Sequence, residues 1–290
     1  MTQVGRLVII GVGLIGGSAA LALRHAGLTR HVCGVGRSRE NLAEALRLGI
    51  VDTVTDDYAS ALDGADVVLV ATPVAQMKGV FERIAPALDP ATIVTDGGST
   101  KQDVIAAARA AFGARFSQFV PAHPIAGTEH AGAGAAFAEL YQGRKVVLTP
   151  EKETDAGALG RVGAMWEAMG ASVSTMTAGR HDSIFAAVSH LPHLLAFALV
   201  EELAVRPDAR EYFDFAAGGF RDFTRIASSS PEMWRDIAIA NRDALLFELH
   251  GYQSQLQRLQ GLLANSDRTG LTEMFATART ARNDWLARQS

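Results

Sequence analysis

The chain has 290 residues, 48% hydrophobic and 20% charged, and a net charge of −4. That length accommodates two domains with ample apolar burial, and the composition is that of an ordinary globular protein. The acidic balance and the lack of any Lys/Arg block argue against a nucleic-acid partner. The single cysteine, Cys33, allows no internal disulfide and fits a reducing cytoplasm; it sits in an apolar strand pattern, where packing is its expected role.

In chain order, the first element is an apolar run, Leu7–Ile10, that turns through Gly11, Gly13 and Gly16 into a helical pattern beginning near Leu14. A strand, a three-glycine turn and a helix in that order form the fingerprint of a dinucleotide-binding unit. Gly11 provides the tight turn, Gly13 lets the backbone approach a pyrophosphate, and Gly16 lets helix and strand pack closely. The first turn, with Leu14 and Ile15, then presents free N–H groups to the phosphates. The glycines also interrupt the apolar N-terminus, which has no charged cluster, so it does not read as a secretory signal.

Further strands are expected at Val32–Val35, Val67–Ala71, Ile93–Thr95, Phe119–Ala122 and Val146–Leu148. Helices fit between them, with Gly27 and Gly49 as C-terminal caps and Ser38 as an N-cap. A helix over about 156–169 ends at Gly170 and leads to a last strand, Ser172–Met176. From about Arg180 the alternation stops. Long helical patterns follow at Ile184–Val205, Met233–Asn265 and Leu271–Arg288, with an aromatic, glycine-rich segment, Tyr212–Ile226, after the first. The run 186–200 contains His190, Pro192 and His193 and is not expected to span a membrane. The fold class is α/β: an N-terminal Rossmann-type doubly wound sheet (residues 1–178) followed by an all-α C-terminal domain (residues 179–290).

The acidic residue that holds the ribose 2′-hydroxyl in NAD-binding units would fall at Gly36. Arg37, Ser38 and Arg39 follow instead, two guanidinium groups and a hydroxyl suited to a 2′-phosphate. NADP is therefore expected over NAD; in the alternative, Arg37 and Arg39 are solvated loop charges and NAD binds without the acidic contact.

Polar clusters stand where such a fold builds its site, beyond the carboxyl ends of the strands. They are Thr72-Pro73, the stretch from Asp96 through Ser99 to Lys101, the stretch from His123 through Thr128 and Glu129, the Ser189–His193 pair on one helix face, and the stretch from Gly218 through Arg225 with Trp234 beyond. Singly, each has a plain structural explanation, such as a buried hydrogen bond or a pair across one turn. No histidine or cysteine spacing suits a metal, and none is expected.

Taken together and in order, GVGLIGGS, HPIAGTE, SHLPH and GGFRDFTRIASSSPEMWRDI resemble the prephenate/arogenate dehydrogenase family of tyrosine biosynthesis, from residue 7 to beyond Asn241. The resemblance implies oxidative decarboxylation of prephenate to 4-hydroxyphenylpyruvate, or of arogenate to tyrosine, with hydride transfer to NAD or NADP. It implies His123 as the group that accepts the proton of the substrate hydroxyl, and Ser99 as a bridge between that hydroxyl and the nicotinamide. Arg225 would bind the ring carboxylate. His193 and Ser189 would face the substrate side chain, Thr128 and Glu129 would line the pocket, and Trp234 would shape its entrance. His181 and His190 are expected to be structural or to support the site from behind. A homodimer through the C-terminal helices is implied, with apolar faces at 244–263 and 271–286. The chain leaves no room for a fused mutase before residue 7 or a regulatory domain after Leu286, so feedback by tyrosine is expected at or near the active site.

Two other readings compete. A hydroxyacid dehydrogenase or imine reductase would carry a lysine on the first helix of the second domain, where this chain has Ser189, His190 and His193. A non-catalytic nucleotide sensor would need neither His123 nor Arg225 and would carry an effector module, of which no basic helix-turn-helix is evident.

Overall fold

The structure is a computed structural model that describes residues 3–128 and 130–288. Residues through Arg242 form one compact unit, and residues from Asp243 onward form a second.

The first unit begins with β1 (Val4–Ile10), α1 (Leu14–His25), β2 (Thr29–Val35), α2 (Arg39–Arg47), β3 (Thr53–Thr55) and α3 (Tyr58–Leu62). It continues with β4 (Val67–Val70), α4 (Val74–Ile84), β5 (Ile93–Asp96), α5 (Gln102–Phe112) and β6 (Phe119–Val120). These strands make one parallel sheet in the order β3-β2-β1-β4-β5-β6, the doubly wound arrangement expected. The order reverses between β1 and β4, whose pairing runs from Leu7 with Val67 to Ile10 with Val70. The crevice beyond that point is where such sheets bind ligands.

Alternation along β1 divides the core. Leu7 and Ile9 join Leu23, Tyr141 and Trp166 on one face, while Val8 and Ile10 join Phe81, Phe112 and Phe119 on the other. On α4, Val74, Met77, Phe81 and Ile84 recur at helical spacing and are buried; the Phe81 ring packs edge-on against Phe112 and Phe119, 5.2 and 5.4 Å away.

The chain then departs from the expected single sheet. Phe119–Ala122 does not form one strand. Pro121 has no N–H to give the ladder, and the path leaves the first sheet there. A new strand, β7 (Ala122–Pro124), pairs antiparallel with β8 (Lys145–Leu148). After α6 (Ala156–Ala168), β9 (Ser172–Thr175) adds in parallel, giving a second sheet β7-β8-β9. His123 thus lies on a strand, paired with Val147, and not in a loop. The caps at Gly27, Gly49 and Gly170 all have positive φ, and Ser38 accepts the Asn41 N–H as expected.

Helices α7 (Ala178–Phe185) and α8 (Leu191–Ala204) are joined by a π-helical turn, Ala186–His190. The turn ends two residues before Pro192, which cannot donate to the carbonyl four residues back; the wider turn accommodates that loss. The whole run 178–204 is long and apolar enough to cross a membrane by length and composition. Its buried polar side chains, His181, Asp182 and His190, are all hydrogen-bonded within this unit. Two short helices follow, α9 (Ala209–Asp214), which runs into the aromatic segment, and α10 (Gly218–Thr224) within it, whose glycines concealed it. The pattern read as one helix over Met233–Asn265 is broken at Asn241 into α11 (Pro231–Ala240) and α12 (Arg242–Ala264). Asn241 spends its side-chain amide on the Asp182 carbonyl, 2.8 Å, and on His190 Nδ1, 3.1 Å.

The second unit comprises most of α12 and α13 (Arg268–Ala287), the latter capped by Asp267, which accepts the Gly270 N–H. Phe247, Leu256, Leu263, Phe275 and Trp285 on these helices are exposed in the single chain.

Candidate active site

The nucleotide crevice is built as its glycines predict. Gly11 has φ +97°, and a Cβ there would lie 2.6 Å from the Ala71 carbonyl oxygen. A Cβ at Gly16 would lie 2.3 Å from the Gly11 carbonyl, whereas Gly13 faces open space. Leu14, Ile15 and Gly16 form the first turn of α1, which has neither a side-chain cap nor an acidic residue, so its N–H groups and positive dipole end are available to an anion. Across the crevice, Thr72 Oγ1 is buried with no partner among the described residues, and Pro73 caps α4. The unpaired buried hydroxyl of Thr72 and the start of α1, which has no side-chain cap, together make a donor set that fits a dinucleotide.

At the carboxyl end of β2, Gly36 is followed by the exposed Arg37, Ser38 and Arg39. Ser38 Oγ caps α2, and Arg39 stands 3.9 Å from Asp56, both largely solvated. Asn41 anchors this corner, donating to the Val12 carbonyl at 2.6 Å and accepting the Ala133 N–H at 2.8 Å.

The loop after β5 brings the chemistry to the crevice. A Cβ at Gly97 would lie 3.1 Å from Ile15 and 3.8 Å from Pro124, so the first turn of α1, the loop carrying Ser99, and the strand carrying His123 converge. Lys101 and Asp96, both fully buried, form an ion pair that joins these parts. The Lys101 ammonium also donates to the Ala122 carbonyl at 2.7 Å, and Asp96 accepts the Ala122 and Gly98 N–H groups.

His123 Nδ1 lies 2.8 Å from His181 Nε2, and His181 Nδ1 lies 2.8 Å from Asp182 Oδ1. Asp182 in turn accepts the Lys101 and Gln102 N–H groups, each at 2.9 Å, at the start of α5. Burial, reinforced by the positive charge of Lys101, holds His123 well below the ordinary histidine value, so its imidazole is neutral near pH 7. Burial acts on His181 in the same direction, and it brings His190 down to about 4. Burial would raise Asp182, but its hydrogen bonds to His181 and the two amides outweigh that and keep it below the usual carboxylate range.

A second cluster lies on α8 and α11. The His193 ring stacks on Trp234 with centroids 3.6 Å apart and planes 18° from parallel. His193 Nδ1 donates to the Ser189 carbonyl at 2.8 Å. Burial lowers its basicity, and the nearby Arg225 guanidinium adds to that, which places Arg225 in the same locality. Trp234 Nε1 is buried without a partner among the described residues. Thr128 lies in an exposed stretch after β7, its hydroxyl accepting the His130 N–H at 3.2 Å; Glu129 lies outside the described residues. Sequence reasoning left His181 in a supporting role and did not single out Asp182; no local pattern marks a pair whose significance lies in a strand 58 residues away.

A doubly wound nucleotide-binding sheet with a half-buried, neutral histidine at its crevice defines an NAD(P)-dependent oxidoreductase. Two family models cover most of the chain: the nucleotide-binding domain of prephenate dehydrogenase matches residues 19–175, and its dimerization domain matches residues 177–277. The chain is 38% identical to a cyclohexadienyl dehydrogenase of Zymomonas mobilis, over 97% of this chain and 96% of that one. It is 35% identical to a prephenate dehydrogenase of Bacillus subtilis, over 98% of this chain and 76% of that one. It superposes on a prephenate dehydrogenase of Aquifex aeolicus, solved with hydroxyphenyl propionate and NAD+, with a TM-score of 0.92 and 36% identity, covering 97% and 98% of the two chains. The chain belongs to the prephenate dehydrogenase family.

Proposed function

We propose that this protein converts prephenate to 4-hydroxyphenylpyruvate by oxidative decarboxylation, with His123 as the base. The observation that carries the proposal is a neutral imidazole on β7, beside the Ser99 loop and the first turn of α1. When bound in the crevice, the nicotinamide supplies the hydride acceptor. The hydrogen on the ring carbon bearing the 4-hydroxyl leaves as hydride more easily as that hydroxyl gives up its proton, and neutral His123 accepts it. The ring carboxylate then departs as carbon dioxide, its electron pair enters the ring, and the oxygen recovers a proton as a phenol. Aromatisation drives the step.

Arg225 holds the ring carboxylate through its planar fork, and Ser99 bridges the hydroxyl and the nicotinamide. His193 and Ser189 face the side chain against Trp234, with Thr128 at the pocket edge. NADP is the proposed cofactor, supported by the absence of a carboxylate at Gly36 and by the exposed Arg37 and Arg39; NAD remains the alternative. The chain acts as a homodimer through its C-terminal helices, supported by the match to a dimerization domain and by the exposed apolar side chains of α12 and α13.

Arogenate is the second reading, favoured by one observation. His193 Nδ1–H is spent on the Ser189 carbonyl, so neutral His193 keeps a lone pair on Nε2. That lone pair can accept from the ammonium of arogenate but not from the ketone of prephenate. Replacement of His123 tests the proposal: His123→Asn is expected to lower kcat about 10²–10⁴-fold with binding largely retained. Unchanged turnover would refute it.

A further inference from the structure

We propose that His181 and Asp182 are positioning residues that fix His123, through a chain of hydrogen bonds, in the tautomer that leaves its Nε2 free to take the substrate proton. The inference rests on His123 being the base and concerns how that base is kept in working order.

The polarity of the chain follows from its far end. Asp182 is engaged by two amide donors, Lys101 N–H on Oδ1 and Gln102 N–H on Oδ2, each 2.9 Å away at the positive end of α5. An ionised carboxylate only accepts, so the contact of 2.8 Å to His181 Nδ1 places a proton on that nitrogen. Neutral His181 then has a bare Nε2. That atom lies 2.8 Å from His123 Nδ1, which must be the donor. A neutral His123 with its proton on Nδ1 has its lone pair on Nε2.

The reverse polarity is unfavourable at each link. If His181 donated from Nε2, its Nδ1 would either turn a lone pair toward a carboxylate or carry a second proton. The second case puts an imidazolium in a buried space that already holds the Lys101 ammonium and two further histidines. His123 Nε2 would then hold the proton and could not act as base. The charged and titratable groups packed around the pair come from several elements: Asp96 on β5, Lys101 before α5, Asp182 on α7 and His190 in the π turn. Asp96 is neutralised by Lys101, and His190 Nδ1 is occupied by Asn241, so among the described residues Asp182 is the anion hydrogen-bonded to the imidazole chain. Phe185 closes the side, its ring centroid 4.9 Å from that of His123 and 4.5 Å from that of His181. The arrangement is a histidine–carboxylate pair with one imidazole inserted, and the same carboxylate offsets the charge that His123 gains in the reaction.

The tautomer can be read directly by ¹⁵N NMR of histidine in the full-length protein, with the His123 signals assigned by their loss in His123→Asn. Protonated Nδ1 and bare Nε2 are expected; a protonated Nε2 at neutral pH would overturn the proposal, and this reading needs no variant at 181 to fold. Kinetics supply the second arm. His181→Leu removes the link and is expected to lower kcat about 10²–10³-fold, with KM for substrate and cofactor within about threefold. His181→Gln, whose amide oxygen can accept from His123 while its NH₂ donates to Asp182, is expected to recover kcat to within about tenfold of the parent. Equal loss in both variants, or full kcat in the leucine variant, would show that position 181 only packs. Retained turnover in His123→Asn would instead remove the base itself, which is a separate result.

Discussion

The imidazole of His193 lies flat on the indole of Trp234, 3.6 Å between centroids, so one wall of the second cluster is a stacked pair held by α8 and α11. The stack fixes the ring plane, while the Ser189 carbonyl fixes its rotation and tautomer. Trp234→Leu removes the plane and retains the volume only in part. A rise in substrate KM of about 10-fold is expected, with cofactor KM unchanged, as for loss of about 1–2 kcal/mol of stacking and packing. Steady-state kinetics with each ligand varied in turn check it.

Arg225 is expected to matter more. Its guanidinium is near enough to depress His193, and in the proposed complex it meets the ring carboxylate. Arg225→Ala should cost about 2–4 kcal/mol in kcat/KM for the substrate, through KM far more than kcat, and leave cofactor KM in place. Equal damage to both Michaelis constants would contradict the assigned contact.

The buried histidines make stability depend on pH with a definite sign. His190 titrates near 4 in the fold against 6.5 when exposed, so between those values the unfolded chain binds more protons. Stability is therefore fully present above about pH 6.5 and is lost as pH falls toward 4, by about 3 kcal/mol from this residue. His123, His181 and His193 are shifted in the same direction and add to the slope. Urea midpoints at about pH 7.5, 6 and 5 should fall in that order; a flat series would contradict the assignment of these groups as neutral in the fold.

The ion pair between Lys101 and Asp96 joins the first sheet to the strand that carries His123. Lys101→Met leaves a buried carboxylate unpaired and should destabilise the protein by about 3–5 kcal/mol. Chemical denaturation of the variant is the check, and a change under about 1 kcal/mol would mean that Asp96 is protonated or solvated.

The parts of this fold that could be read from the chain are those governed by local rules. The glycine fingerprint, the Ser38 cap and the positive-φ glycines at 27, 49 and 170 each follow from the chemistry of a few adjacent residues. Strand β3 escaped notice because Thr53–Thr55 is three residues long and barely apolar. The division of 119–124 between two sheets turns on Pro121 and on pairing with Val146–Leu148, which no local pattern announces. The break at Asn241 has the same origin, since its amide is claimed by Asp182 and His190, about 50 to 60 residues earlier. Within the site, His123, Ser99, His193 and Arg225 stood out by family likeness, whereas the support of His123 by His181 and Asp182 becomes visible only when β7 and α7 meet.

The most direct test of the account is a two-by-two assay of the purified protein, prephenate or arogenate with NAD or NADP, followed by the absorbance of the reduced nicotinamide. The account predicts turnover with prephenate, strongest with NADP and lowered about 10²–10⁴-fold by His123→Asn. Turnover with arogenate as well would establish the second reading alongside it. Silence in all four combinations, from folded protein that still binds the dinucleotide, would contradict the account.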